Sequence, residues 1–232
     1  MKKFTILLLM LILSVSVFAS SVSVGGAFNF INGKTAKDND GNRLLYKSSG
    51  IGFDVAGTID LNKTMAVWAD FNMTFGFDVK NKEENNSSDW VSMKDMLKGL
   101  PNSSLSILNM SFGLGVAYKL SLDLPIELSV GGGLFFEHLT TTLKTSLDDN
   151  NKSNISGNND NLGMSLYLNA KYNFSEKLGL NFTIMPHFGL YSLITQKSEI
   201  TSMGISTNSS EKHNGFAFSF SMPITLSVSY SL

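Results

Sequence analysis

From Phe216 to Leu232 every second residue is large and apolar (Phe216, Phe218, Phe220, Met222, Ile224, Leu226, Val228, Tyr230, Leu232), and the residues between are Ala, Ser, Pro or Thr. A period of two over so long a run marks a strand with one oily face. Strands of soluble proteins are usually about 5 or 6 residues long. This run has the length and oiliness of a strand that crosses a membrane.

The alternation recurs along the chain and predicts about eight strands. The first runs from Ser21 to about Ile31, with Val22, Val24, Phe28 and Phe30 on one face, and a polar loop from Asn32 to about Ser48 follows. The second, Ile51 to Leu61, ends at a tight turn, Asn62-Lys63. The third sets Val67, Ala69, Phe71, Met73, Phe75, Phe77 and Val79 against Trp68, Asp70, Asn72, Thr74, Gly76 and Asp78. Lys80 to Ser104 is the longest connection, and Ser88 to Leu97 within it reads as a short helix capped by Ser88 or Asp89.

The fourth strand, Leu108 to Leu120, turns at Ser121–Pro125 into the fifth, which carries Ile126, Leu128, Val130, Leu134 and Phe136 on its oily face. A stretch rich in Asn, Asp and Ser, Ser146 to Asn161, reads as a solvated loop. Leu162 to Phe174 and Leu178 to Leu190 form strands six and seven around the turn Ser175-Glu176-Lys177, and Thr195 to Asn214 is the last long loop before strand eight. Long loops thus alternate with turns of a few residues, and an even strand count puts both ends of the barrel on the short-turn side.

The faces opposite the oily residues decide which way the strands point. Asp54, Asp70, Asp78, Lys119, Glu127, Glu137, Lys171 and His187 lie there among Gly, Ser, Thr and Asn. A soluble barrel turns its oily face inward around a ligand and shows more charge outside. Small and neutral polar residues with few Lys instead fit a narrow enclosed lumen, in which Asp70, Asp78 and Glu137 are expected to pair with Lys119 and Lys171. Gly131-Gly132-Gly133 and Gly113-x-Gly115 sit inside strands, where they make room for a bulky neighbour such as Trp68 or Phe135.

Met1-Lys2-Lys3, the apolar run Phe4–Leu13 and the small residues around Val17-Phe18-Ala19 read as a secretory signal peptide over residues 1–19, leaving 20–232 for the barrel domain. Cysteine is absent, which removes disulfides, thiol catalysis and thiolate metal sites. A net charge of -1 without charge runs argues against a nucleic-acid partner. No apolar span after the signal peptide reaches the ~20 residues of a membrane helix, so entry into a membrane requires a closed barrel.

In this pattern the chain resembles the small eight-stranded outer-membrane barrels of Gram-negative-type bacteria, the OmpX, OmpW and OmpA-barrel kinds. The resemblance covers the whole chain after residue 19 and rests on patterning rather than on a diagnostic motif. It implies an outer-membrane location and, as partners, outer-membrane lipid and the assembly machinery. In that group the last strand usually ends in an aromatic residue; here the end is Leu232, with Tyr230 two residues before it.

Candidate chemistry is sparse. His138, His187 and His213 have no metal-site spacing. Glu137-His138 beside Thr140, Thr141 and Thr142 is the closest approach to a His, hydroxyl and carboxylate arrangement, with His138 on the lipid-facing side. In the second loop Trp90, Met93, Met96 and Leu97 form an oily segment that fits a helix packed on the rim, a lid or a partner contact. The expectation is an all-β, single antiparallel up-and-down transmembrane barrel without cofactor, non-enzymatic, acting in envelope structure or in contact with an extracellular ligand or host surface. The alternatives are a narrow passage for small hydrophobic solutes and a soluble periplasmic ligand-binding barrel.

Overall fold

The computed structural model describes residues 19–35, 37, 43–84, 89–98, 100, 102–120, 125–148, 150–203 and 205–232. Its strands are β1 (Ser21–Lys34), β2 (Leu44–Asp60), β3 (Met65–Glu83), the two-residue β4 (Val91–Ser92), β5 (Ser104–Leu120), β6 (Ile126–Asp148), β7 (Asn151–Asn173), β8 (Leu178–Ile184), β9 (His187–Ser202) and β10 (Ile205–Ser231). One short helix, α1 (Met93–Met96), follows β4. The residues read as a signal peptide lie outside the described residues, save Ala19.

Pairing is antiparallel throughout: β1, β2, β3, β5, β6 and β7 follow one another, β8 and β9 each lie between β7 and β10, and β1 pairs with β10 from Ser21↔Ser231 to Gly33↔Ser219. The sheet is therefore a closed ring, with no edge in its lower part. β8 and β9 form one wall strand interrupted at Met185-Pro186: Pro186 has no N–H to donate, but its carbonyl still accepts from Leu166 N–H. Counting that pair as one, eight strands span the wall. The predicted turns hold through side-chain acceptors, Asn62 Oδ1 taking the Thr64 and Met65 N–H groups and Ser175 Oγ taking that of Leu178.

The oily faces point outward: Leu134, Met164 and Val24 are each more than half exposed, at 59%, 58% and 57%. The polar faces point inward, and Asn72, Glu137 and His187 are fully buried. This polarity overturns the soluble periplasmic reading, because in water it would expose the apolar surface of every strand.

Three expectations about the connections are corrected. The stretches 146–161 and 195–214 are strands, since β6 and β7 are separated by residues 149–150 alone and β9 and β10 by 203–204 alone. A transmembrane strand needs about 9–11 residues, whereas β6 and β7 have 23 each and β10 has 27, so these strands continue well past the bilayer. The helix shrinks to one turn, capped by Ser92, whose Oγ accepts from Asp95 N–H, because Val91 and Ser92 are drawn into pairing with β3; Ser88 lies outside the described residues. Finally, the β2–β3 register shifts between Ser49 and Gly50, which sit opposite Asp78 and Gly76. The bulge absorbs Phe77 and reverses the alternation above it. Val79, expected on the oily face, turns inward and is buried, and Asp78, expected in the lumen, turns to the rim, where its carboxylate accepts from Lys94 N–H at 3.1 Å.

Candidate functional site

The lumen divides into three levels. At the short-turn end a polar vestibule of about 540 Å³ is lined by Ser21, Thr58, Lys119, Lys171 and Thr183, with Asp70 and Tyr167 at its inner end. Lys119 Nζ lies 2.7 Å from Asp60 Oδ1, Lys171 Nζ 3.5 Å from Ser231 Oγ, and Glu127 accepts from Asn173. The expected pairing of these lysines with Asp70 and Glu137 is not made, because the strand stagger places both lysines in the vestibule, among Asp60, Glu127 and Asn173, while Glu137 lies higher in the lumen.

Above the vestibule the lumen is blocked. Trp68 stacks on Tyr167 with ring centroids 5.0 Å apart, Phe135 stacks on His187 at 4.3 Å, and Met185 is wholly buried beside the first pair. Glycine makes this plug possible. A Cβ on Gly113 would sit 2.9 Å from the Trp68 ring, and one on Gly163 would sit 2.8 Å from Phe135. Polar groups pack around the rings. The Asp54 and Asp70 carboxyls lie against each other near Asn72, while Glu137 accepts from Asn109 at 3.2 Å and Asn161 at 3.5 Å, and Asn161 also donates to Tyr46 Oη at 3.3 Å. His187 Nδ1 lies 3.3 Å from Ser221 Oγ. The eight residues expected in one lumenal network thus fall into a vestibule set, two buried clusters and one rim residue.

The third level reverses the pattern. Ile31, Tyr46, Val79, Ile107 and Leu139 point inward from five strands and form an apolar layer, against which Met93 of α1 and Leu105 pack. An apolar cavity of about 200 Å³ opens beside it, lined by Leu44, Val79, Met93, Leu143, Ile155 and Ile194 among others. The expected loop patch is split: Met93 reaches the apolar mouth, Trp90 lies under Lys47 with Nζ 4.1 Å from its ring, Met96 is exposed and Leu97 half-buried. At the rim, a hydrogen bond from Lys34 to Glu84, reinforced by its charge, holds the Glu84 carboxyl below the usual range.

On the outer wall at this height Thr140 Oγ1 is 2.8 Å from His138 Nε2, and His138 Nδ1 meets Asp160. Glu137 faces the lumen, as expected, and takes no part in this arrangement. The arrangement carries a relay but no oxyanion stabiliser of the backbone kind, because Thr140, His138 and Asp160 each lie on a strand paired on both sides. Among the described residues no group of three or more His, Cys, Asp or Glu side chains is placed to hold a metal ion.

A family model, the outer membrane protein beta-barrel domain, matches residues 5–187. The chain belongs to that family. The same ring is seen in a major outer membrane protein of Thermus thermophilus, at 17% identity and a TM-score of 0.58 over 88% of this chain and 98% of that one. OprG of Pseudomonas aeruginosa is similar at 11% identity and a TM-score of 0.52, over 91% and 95%. At these identities the likeness is one of fold. No curated protein matches the chain by sequence. Family and fold place this barrel in the outer membrane, with the oily band in lipid.

Two features of the site escaped the sequence. The apolar mouth was hidden because its members alternate within stretches rich in Ser, Thr and Asn, and the plug because Met185 and Tyr167 look unremarkable until the strands are placed side by side. Glycines near Trp68 and Phe135 were the legible signal.

Proposed function

We propose that this outer-membrane barrel is a non-enzymatic surface protein that anchors and displays a strand-built extracellular extension, serving envelope structure or contact at the cell surface. The observation that carries the reading is the mid-height plug of Trp68, Tyr167, Phe135, His187 and Met185 between two separate cavities. Such a lumen favours a scaffold over a pore. The lack of free backbone donors beside His138 favours the non-enzymatic reading. The test is conductance of the refolded barrel in planar bilayers, with a Trp68→Gly/Phe135→Gly double variant as the positive control. A silent wild type beside a conducting variant supports the reading, and open-channel steps from the wild type reject it.

The apolar cavity under Met93 favours a second reading, binding and lateral passage of small hydrophobic molecules from the mouth. Uptake of an uncharged aromatic probe into vesicles, faster with the protein than without it and slowed by Leu139→Asp, would favour this over the scaffold.

A further inference from the structure

Asp54, Asp70 and Asn72 are each at most 3% exposed, and they meet where β2 and β3 run side by side at the inner end of the vestibule. Asp54 and Asn72 are direct cross-strand partners, and Asp70 is the next inward residue of β3 toward the vestibule. Ser111 of β5, also buried, is the partner of Asn72 on its other side. The neighbouring wall positions are small, with Gly25 beside Asp54 and Gly113 beside Asp70.

What this cluster needs is a counter-charge. The two carboxyls lie against each other, yet neither has a basic partner among the described residues, because Lys119 is taken by Asp60 and Lys171 lies by Ser231. Burying two adjacent carboxylates without compensation is costly. One oxygen of each carboxyl, the Asn72 amide oxygen and the Ser111 hydroxyl are buried and have no hydrogen-bond partner among the described residues. A proton shared by the two acids would satisfy a fraction of these atoms. A cation would draw on all of them.

We propose that Asp54, Asp70 and Asn72 hold a hard divalent cation of the calcium class, with Ser111 at its edge, taken up from the vestibule. The donors are all oxygens and two are anionic, the set that such ions select and that metals preferring imidazole or thiolate do not. Ca²⁺ takes about six to eight oxygens, and Asp70 adjoins the open vestibule, from which water completes the shell. The vestibule also favours cations, since Asp60, Asp70, Glu127 and Glu176 outnumber Lys119 and Lys171 along its wall, and a negative cleft concentrates counter-ions. Bound there, the ion ties β2 to β3 beside Trp68, whose ring packs over Gly113 next to Asp70.

The position of Trp68 supplies the test. A chelator-treated, detergent-refolded barrel carrying Trp90→Phe, which leaves Trp68 as the sole indole, is titrated with Tb³⁺ while indole-sensitised emission is followed, and Ca²⁺ is then added as competitor. Emission should saturate and Ca²⁺ should displace it. Asp54→Asn and Asp70→Asn should each raise half-saturation about tenfold or more, whereas Asp148→Asn, at the far end of β6, should leave it unchanged. Both Asn variants keep side-chain size and shed charge, and the heat-dependent gel shift checks that they fold. Absence of saturable emission leaves a shared proton as the counter-charge and overturns the proposal. Equal half-saturation in the wild type and both Asn variants, or emission that Ca²⁺ does not displace, overturns it as well.

Discussion

Within β6, Leu134 and Phe136 face outward on either side of the inward Phe135, whereas a few residues further on Leu139 and Leu143 face inward and Thr140 and Thr142 outward. The strand continues without a break and its pleat keeps period two; what changes is the medium outside it. In the bilayer, lipid covers the outer side chains, and the interior holds the polar groups that lipid would not tolerate. Above the bilayer, water takes the outer side, and Ile31, Tyr46, Val79, Ile107 and Leu139 must find one another across the lumen as a small hydrophobic core. The two halves therefore obey one rule with the solvent exchanged, and the reversal from Phe136 to Thr140 marks the edge of the leaflet.

Charge on the outside should separate the halves most sharply. Leu134→Arg places a cation in the lipid-facing band and should cost about 2–4 kcal/mol, while Thr142→Arg, three outward positions above Phe136, should cost close to nothing; urea unfolding in lipid vesicles measures both. If the two cost the same, the boundary is misplaced. Truncation inside tests the other half. Leu139→Ala removes a member of the apolar layer and should destabilise by about 2–5 kcal/mol, read from the same unfolding curves.

The plug answers to volume rather than polarity. Gly113→Val drives two methyl groups toward the Trp68 ring and should cost about 1–3 kcal/mol, with a change in tryptophan fluorescence that Gly157→Val, at a position with open space around it, should not produce. The smallest effect is at the rim. The Glu84 carboxyl is lowered by its bond to Lys34, so its contribution is present above the unfolded carboxyl value and is lost as pH falls through the lowered folded one. Carboxyl-selective NMR should show Glu84 titrating below an ordinary glutamate, and Lys34→Gln should return it to the usual range.

Much of the embedded half was legible because its alternation is strong: β10 from Phe216 onward, the outward Leu and Phe of β5 to β7, and the turns at Asn62 and Ser175 all follow from apolar spacing and turn chemistry. The half beyond the lipid-facing band was not, since Ser, Thr and Asn hide a strand whose inward positions carry only scattered Leu and Ile, as between Leu139 and Ile155. The bulge at Phe77 left no signal, and it alone moved Asp78 from lumen to rim. Which lumenal groups meet depends on the stagger between strands. Residue spacing within one strand cannot report that: Lys119, expected among Asp70, Asp78 and Glu137, lies beside Asp60.

The seam between β1 and β10 also governs the order of events during assembly. Ser21 and Ser231 are partners, so the last contact to form joins regions separated by nearly the whole chain, the costliest loop to close and the slowest to find. Until β10 has been exported, β1, β8 and β9 each present a bare row of donors and acceptors. Exported nascent chains should therefore depend on a holding factor for longest just before completion, and a stop codon ahead of β10 should yield an adhesive open sheet in place of a smaller barrel.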